Sequence, residues 1–200
     1  FGFHDPSLDE LIHWAHIIDG ALYESPAQCV ELRSPALKLM QVIEGEEDPA
    51  FVEEIIKMLT RQTLDEIVES DAIQAKLDPI LKTHWETVEL IKQRAVAERG
   101  VVSFDLTDTD VAGYNKFIPY YFHPEVTYVV SLTISPFRTK ISVGSNPWAP
   151  RPRTHNIAEI CERYGGGGHA VVGAVSLAPD QIEIGRKYMD EIIETLRFDD

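Results

Sequence analysis

The residues best suited to chemistry lie in one short run, in which four consecutive glycines, Gly165 to Gly168, directly precede His169. Glycine loses more conformational freedom on folding than any other residue, so four in a row are costly to order. Two interpretations are open. The run is either a turn that needs positive φ, or a stretch of exposed N–H groups that a phosphate or carboxylate can approach. His169 would then add a hydrogen bond or a positive charge to such a site, or it simply packs or faces water.

Basic side chains are concentrated just before this run. Between positions 136 and 163 the sequence holds five Lys and Arg residues and only two glutamates. A guanidinium binds phosphate with two parallel hydrogen bonds, so Arg138, Arg151 and Arg153 are candidates to assist an anion site at the glycines. Surface arginines are common, and each of the three has an ordinary solvated interpretation as well.

Composition and charge limit the classes of function. The 200 residues suffice for one large domain or two small ones, and 33 acidic against 18 basic residues give a net charge of −15. Such a charge argues against a broad surface for duplex DNA, so a local cluster must hold any anionic ligand. The sequence has no apolar run of membrane-spanning length and no signal pattern, which predicts a cytoplasmic protein without a membrane partner. Cys29 and Cys161 are predicted to be packed, reduced thiols.

The first half of the chain has the apolar spacing of amphipathic helices. Helices are predicted over residues 7–23, over 48–62 with Asp48 as the N-cap, and over about 78–98, where Gly100 would end the last one. The apolar positions expected to form the buried stripe of the first helix are Leu8, Leu11, Ile12, Ala15, Ile18 and Leu22.

The second half changes to strand patterns rich in β-branched and aromatic residues. Strands are predicted at 101–107, at 127–135 and 137–145 as a hairpin, and at 170–177, with a short helix at 156–164 that Gly165 ends and a closing helix at 178–198. This order predicts an α/β protein of the α+β type, with a helical N-terminal half followed by a mixed β-sheet domain flanked by helices.

The stretch NIAEICERYGGGGHAVVGAVSL resembles the signature of the DHHA1 domain, the C-terminal substrate-binding domain of the DHH phosphoesterase superfamily. The resemblance extends upstream through GVVSFDLTD, NKFIPYYFHPEVTYVVSLTI and ISVGSNPW, and favours the exopolyphosphatase-like or oligoribonuclease-like branch. It implies that residues 100–200 are a DHHA1 domain and that 1–99 are the remainder of a DHH catalytic domain with linker helices. It also implies that Gly165, Gly166, Gly167, Gly168 and His169 contact a substrate phosphate, with arginines assisting.

A second segment, WAHIIDGALY, resembles the last metal-binding segment of a DHH catalytic domain, and the resemblance implies that Asp19 binds one of two Mn²⁺ or Mg²⁺ ions. On the residues alone, Asp19 lies beside the apolar stripe, where a buried carboxylate needs a metal or a basic partner. It could equally be an aspartate at the edge of the stripe that caps a turn at Gly20.

The D-H-H triplet that names the superfamily does not occur, and the single D-x-D, Asp108 to Asp110, lies in the other predicted domain. We therefore expect a C-terminal portion of a phosphoesterase that is inactive by itself. Its predicted substrates are nucleotides, short oligonucleotides or polyphosphate, and a homodimer is an open alternative to a monomer. The competing hypothesis is a non-catalytic module that binds a nucleotide or nucleic acid, and upstream sequence carrying D-x-D and D-H-H would discriminate between the two.

Overall fold

The computed structural model describes residues 5–198, apart from the side chain of Ser7. The chain forms two compact units, Phe1–Trp85 and Glu86–Asp200. The predicted assignment of 1–99 to the end of a DHH domain and of 100–200 to a DHHA1 domain stays a prediction. No helix within 5–198 is long and apolar enough to cross a lipid bilayer.

The described part of the first unit is built from helices. They are a 3₁₀ turn at Pro6–Leu8, α1 (Asp9–Gly20), α2 (Pro26–Glu31), α3 (Pro35–Gly45), α4 (Pro49–Leu59), α5 (Leu64–Glu69) and the long α6 (Asp71–Arg94), which continues into the second unit. Local sequence sets the helix starts, because Asp48 accepts a hydrogen bond from the N–H of Ala50, as predicted, and Pro49 occupies the first turn of α4. Thr63 and Glu66 form a capping box at α5.

The predicted burial of the apolar stripe of α1 is wrong. None of the described residues of α1 is buried, and the side chains of Ile12 and Leu22 are 60% and 52% exposed. Helix α1 instead packs Leu11 and Trp14, three residues apart, against the core of this unit. That core consists of Ala36, Leu39, Val42, Ile55, Leu64, Ile67, Val68, Ile73 and Leu77.

The second unit contains a mixed sheet of six strands within the described residues, in the order β1-β2-β3-β4-β6-β5. The strands are β1 (Val96–Glu98), β2 (Val101–Asp105), β3 (Tyr128–Ser135), β4 (Arg138–Ser145), β5 (Gly167–His169) and β6 (Val172–Leu177). Strands β2 and β3 are parallel, and the other neighbours are antiparallel. The helices are α7 (Ile118–Phe122), α8 (Ile157–Glu162) and α9 (Ile182–Leu196). The α+β class and the predicted β3–β4 hairpin are confirmed.

One predicted boundary is wrong. The helix expected to run to residue 98 ends at Arg94, and Val96–Glu98 pairs with β2 as a strand. Arg99 and Gly100 both have positive φ, at 49° and 83°, which is the backbone of a tight hairpin turn. Gly100 therefore belongs to a hairpin turn and not to a helix end.

The two faces of the sheet differ because successive strand residues point to opposite sides. Tyr128, Val130 and Leu132 of β3 are fully buried in one core cluster. That cluster also contains Ile141 and Val143 of β4, Val175 of β6, and apolar residues of α8 and α9. The alternate positions, among them Ser131 and Thr133 of β3 and Lys140 and Ser142 of β4, point to the opposite face.

Candidate functional site

The glycine run begins with the end of helix α8. Gly165 has a φ of +76°, its N–H donates to the carbonyl of Glu162 at 3.1 Å, and the N–H of Gly166 donates to the carbonyl of Cys161 at 2.9 Å. These two hydrogen bonds form a Schellman motif with Gly165 at the C′ position. The predicted helix stop at Gly165 is confirmed.

The rest of the run is an edge strand and not an open loop. Gly167, Gly168 and His169 form β5, which pairs antiparallel with β6 in a tight hairpin. A Cβ atom on Gly166 would lie 2.2 Å from the carbonyl oxygen of Ala174, and one on Gly168, whose φ is +154°, would lie 2.3 Å from that of Val172. The fold itself therefore requires glycine at positions 165, 166 and 168.

Gly167 differs from its three neighbours. A Cβ atom there would meet no heavy atom within 4 Å, and its φ lies outside the positive region. Neither backbone conformation nor local packing therefore calls for glycine at this position. A bare backbone next to open space is what a ligand needs in order to approach the main chain closely.

The open space is a pocket of about 460 Å³ on the face of the sheet opposite α8 and α9. Its volume lies in the range of small-molecule sites. Its walls carry hydroxyl, amine and imidazole groups but no carboxylate, although the chain has a net charge of −15. The lining residues are Ala112, Gly113, Tyr114, Lys116, Thr133, Lys140, Ser142, Gly167, Gly168, His169, Val172, Gly173 and Ala174.

Strand register explains how these residues meet. Gly167 pairs with Ala174, which pairs in turn with Ser142, so the three lie in one row across β5, β6 and β4. Lys140 lies two residues before Ser142 in β4, on the same face of the sheet. It pairs with Thr133 of β3. Paired residues and their i+2 neighbours share a face of a sheet, so the glycine strand and the polar side of β4 form a single wall.

The opposite wall comes from residues 112–116. Tyr114 fixes it, because the Tyr114 hydroxyl hydrogen-bonds the Ser131 hydroxyl at 2.7 Å and its ring packs edge-on against Phe104 with centroids 5.2 Å apart. Burial raises the pKa of Tyr114 to about 12. Tyr114 therefore stays neutral near pH 7 and gives the pocket a rigid wall without negative charge.

Two lysines supply positive charge to the pocket. Lys140 is partly buried, and burial, with a smaller contribution from the nearby Arg138 charge, lowers the pKa of its ammonium group. The Lys116 ammonium lies 5.3 Å from the Phe117 ring centroid. Neither amine has a carboxylate partner among residues 5–198. An anion in the pocket would compensate both charges.

The predicted arginines do not line the pocket. Arg138 lies on the pocket face of β4, two residues beyond Lys140, and donates to the Ser176 hydroxyl at 3.4 Å. The Arg151 guanidinium lies 3.9 Å from the Phe198 ring centroid, and Arg153 donates to the His155 carbonyl at 2.6 Å. The structure thus groups His169 with Gly167 and Gly168 but leaves Gly165, Gly166 and all three arginines outside the lining, and the roles of all these residues in substrate binding stay predictions.

Asp19, the predicted metal ligand, lies in α1 of the first unit with an exposed side chain. The argument that a buried carboxylate there needs a partner does not hold, since the group is solvated. No three His, Cys, Asp or Glu side chains within 5–198 come together in a group that could hold a metal ion. The described residues do not form a two-metal centre, and the role of Asp19 stays a prediction.

Sequence reasoning did not select Lys116, Tyr114, Thr133, Lys140 or Ser142 as site residues. The alternation in FRTKISVGS does place Lys140 and Ser142 on one strand face, so this pattern carried a usable signal. Tyr114 and Lys116 come from an irregular segment whose position no periodicity predicts.

The fold and the pocket together define an α+β unit with a glycine-rich edge strand beside a cationic pocket. Comparison with known proteins then identifies the fold. No family model matches the chain, and no curated protein matches it. Solved structures do. The chain resembles PggH, a pGpG-specific phosphodiesterase from Vibrio cholerae, with a TM-score of 0.79 and 18% identity over 96% of this chain and 68% of that one.

It also resembles the DHH domain of a protein from a family of ribosomal proteins, with a TM-score of 0.60 and 14% identity over 97% of this chain and 52% of the other. The chain thus has the fold of DHH proteins, as the DHHA1-like motif predicted. It spans about two thirds of the length of the first structure and half that of the second.

Proposed function

We propose that this chain provides the substrate-binding part of a DHH-type phosphoesterase, which hydrolyses phosphodiester or phosphoanhydride bonds in nucleotides, short oligonucleotides or polyphosphate. The observation that carries the proposal is the pocket without carboxylates, lined by His169, Lys116 and Lys140, in a strongly acidic chain. The likeness in fold to a phosphodiesterase supports it.

In this proposal the residues of the chain bind and orient the substrate. A phosphate would lie against the bare backbone of Gly167, and His169 would donate a hydrogen bond to it from the adjoining edge of the pocket. Ser142 and Thr133 offer hydroxyl groups on the same wall. A phosphate held on a rigid sheet has its scissile bond fixed in position, and the surrounding donors stabilise the negative charge of the phosphate.

Two divalent ions, Mn²⁺ or Mg²⁺, would supply an activated water to such a reaction. The described residues do not assemble ligands for them, so we assign no hydrolytic step to this chain. Asp19 could provide one ligand of such a centre, and the others would have to come from outside the described residues 5–198.

The non-catalytic alternative, a module that only binds a nucleotide, is favoured by that same lack of a metal-ligand group within 5–198. Both hypotheses require the pocket to bind a phosphate. They differ in what the complete protein does, and they share the first experiment.

Calorimetric titration of guanosine monophosphate (GMP) into the 200-residue chain tests the shared step. We expect binding by the wild type and a loss of about 1.5–3 kcal/mol for His169→Ala, the contribution of one charge-assisted hydrogen bond. His13→Ala, which removes an exposed histidine from α1, is the matched control and should bind as the wild type does. Absence of GMP binding by the wild type, or equal affinity of His169→Ala, would refute the proposed role.

A further inference from the structure

The pocket wall formed by residues 112–116 has few main-chain contacts. It lies in the irregular stretch between β2, which ends at Asp105, and α7, which begins at Ile118. Among the described residues, no main-chain group of 110–114 is hydrogen-bonded to another main-chain group. The position of this wall therefore depends on side chains that tie it to the rest of the unit.

Tyr114 holds the wall itself, and an ion pair holds the chain just before it. Arg94, the last residue of α6, donates from Nη1 and Nη2 to the two carboxylate oxygens of Asp108, at 3.0 and 2.9 Å. Two parallel hydrogen bonds between a guanidinium and a carboxylate fix direction as well as distance. The pair therefore attaches this stretch of chain to the end of a helix.

A compact turn connects the ion pair to the wall. The N–H of Thr109 donates to the carbonyl of Leu106 at 3.1 Å, and the Thr109 hydroxyl donates to the same carbonyl at 2.8 Å. That hydroxyl also accepts a hydrogen bond from the N–H of Val111 at 3.3 Å. Val111 directly precedes Ala112, the first residue of the wall. Because Asp108 lies inside this turn, a shift of Asp108 moves the turn and the wall that continues from it.

The exposure of the ion pair argues against a large role in the stability of the whole unit. The side chains of Arg94 and Asp108 are 40% and 60% exposed, and exposed ion pairs contribute little to the free energy of unfolding. A contact that contributes little to global stability still determines where a segment with few other contacts lies.

We propose that Arg94 and Asp108 are positioning residues for the pocket. Their ion pair holds the 112–116 wall, including Lys116, where that wall meets the ligand. Neither residue lines the pocket, so both act through the wall. This inference rests on the proposed function, since it takes the pocket to be the nucleotide-binding site.

The test is a double-mutant cycle of Arg94→Gln, Asp108→Asn and the double variant, with GMP titrated into each 200-residue chain by calorimetry. We expect each single substitution to weaken GMP binding by about threefold or more. The double variant should bind no more weakly than either single variant, because one substitution already breaks the pair. The two substitutions change net charge in opposite directions, so a loss in both cannot come from net charge. Lys187→Gln, at an exposed lysine of the same unit, is the control for a lost positive charge and should bind GMP as the wild type does.

Limited digestion with trypsin gives a second measurement that needs no ligand. Lys116 lies in the wall, and cleavage after it requires the segment to open locally. We expect the initial rate of this cleavage, followed by mass spectrometry, to rise in Arg94→Gln and Asp108→Asn but not in Lys187→Gln. The melting temperatures of both single variants should stay within about a degree or two of the wild type.

The outcomes separate this inference from the proposed function. If GMP binding depends on His169, but the single variants bind GMP as the wild type does or leave the tryptic rate unchanged, the positioning role is refuted and the proposed function stands. Additive losses in the double variant, an equal loss in Lys187→Gln, or a large fall in melting temperature would each refute the positioning role as well. If the wild type does not bind GMP, the proposed function and this inference both fail.

Discussion

Gly168 packs against the carbonyl oxygen of Val172 so closely that a Cβ atom at position 168 would lie 2.3 Å from it. Real Cβ contacts are essentially never that short, and the +154° φ of Gly168 is itself unfavourable for other residues. The β5–β6 hairpin, which forms one wall of the pocket, thus depends on glycine at this position for its backbone path.

We predict that Gly168→Ala lowers the free energy of unfolding by about 2 kcal/mol or more, through strain and the displaced carbonyl. Thermal denaturation followed by circular dichroism measures this directly. Gly113→Ala, at a glycine with open space around its Cβ position, is the control and should melt within about a degree or two of the wild type. A normal melting temperature for Gly168→Ala would mean that the hairpin path is different.

In contrast to Gly168→Ala, the Gly167→Val variant is predicted to keep the stability of the wild type. The position is an open strand site with no positive φ, and a β-branched residue suits a strand, so stability should be kept. The new side chain would fill the space next to the backbone and weaken GMP binding by at least about tenfold. Calorimetry and a melting curve on the same sample decide the matter, and unchanged affinity would show that no ligand approaches Gly167.

The contrast between these glycines shows what the sequence could and could not predict. The helix stop at Gly165 followed from local pattern alone, because a C′ glycine is defined by its own helix. The steric limits at Gly166 and Gly168 come from β6, which follows later in the chain. Sequence reasoning therefore could not separate them from Gly167, whose φ is not positive.

The site and the core also combine features that local sequence pattern predicts with features that depend on contacts between distant parts of the chain. Alternation along β3 and β4 predicted the hairpin, while the pairing of β5 with β6 and the position of Tyr114 depend on tertiary contacts. In α1, helical periodicity was visible, but it could not tell that the side carrying Leu11 and Trp14 would pack and that Ile12 would not. Periodicity shows which residues share a face, and only the surroundings determine which face is covered.

His84 gives a pH-dependent prediction for the first unit. Its side chain is buried, its Nε2 lies 2.8 Å from the Val30 carbonyl oxygen, and burial lowers the pKa of the imidazole below 6.5. The unfolded chain then binds more protons than the folded one between the lowered pKa and 6.5, so stability falls as pH drops through this window.

We expect amide hydrogen exchange of first-unit peptides to accelerate from about pH 6.5 to 5.5, after correction for intrinsic rates. His84→Gln, which keeps a donor for the Val30 carbonyl and cannot titrate, should flatten this change. His13→Ala, at an exposed histidine, should not. An identical pH profile for wild type and His84→Gln would show that His84 does not control acid stability.

The 200-residue chain is predicted to hydrolyse phosphodiesters poorly or not at all. A two-metal centre needs several oxygen or nitrogen ligands for each ion, and no group of three such side chains occurs within 5–198. Turnover of bis-p-nitrophenyl phosphate with Mn²⁺, followed by absorbance, should equal that of an Asp19→Asn control. Robust turnover that the Asp19→Asn substitution abolishes would instead identify a functional metal site in this chain.

Lys140 is predicted to reduce stability near neutral pH. Burial lowers the pKa of its amine below 10.5, so between the lowered pKa and 10.5 the unfolded chain binds more protons, and stability from this group rises with pH. Lys140→Gln removes the cost of partly burying the charge, and we expect it to be at least as stable as the wild type near pH 7. The difference should shrink as pH approaches 10.5, where the lysine is increasingly neutral in both states.

Urea denaturation of wild type, Lys140→Gln and Lys187→Gln at about pH 7, 9 and 10 measures this, with Lys187→Gln correcting for net charge. A Lys140→Gln variant that is clearly less stable than Lys187→Gln at neutral pH would show that the amine stabilises the fold, and that its presence in the pocket needs no ligand to explain it.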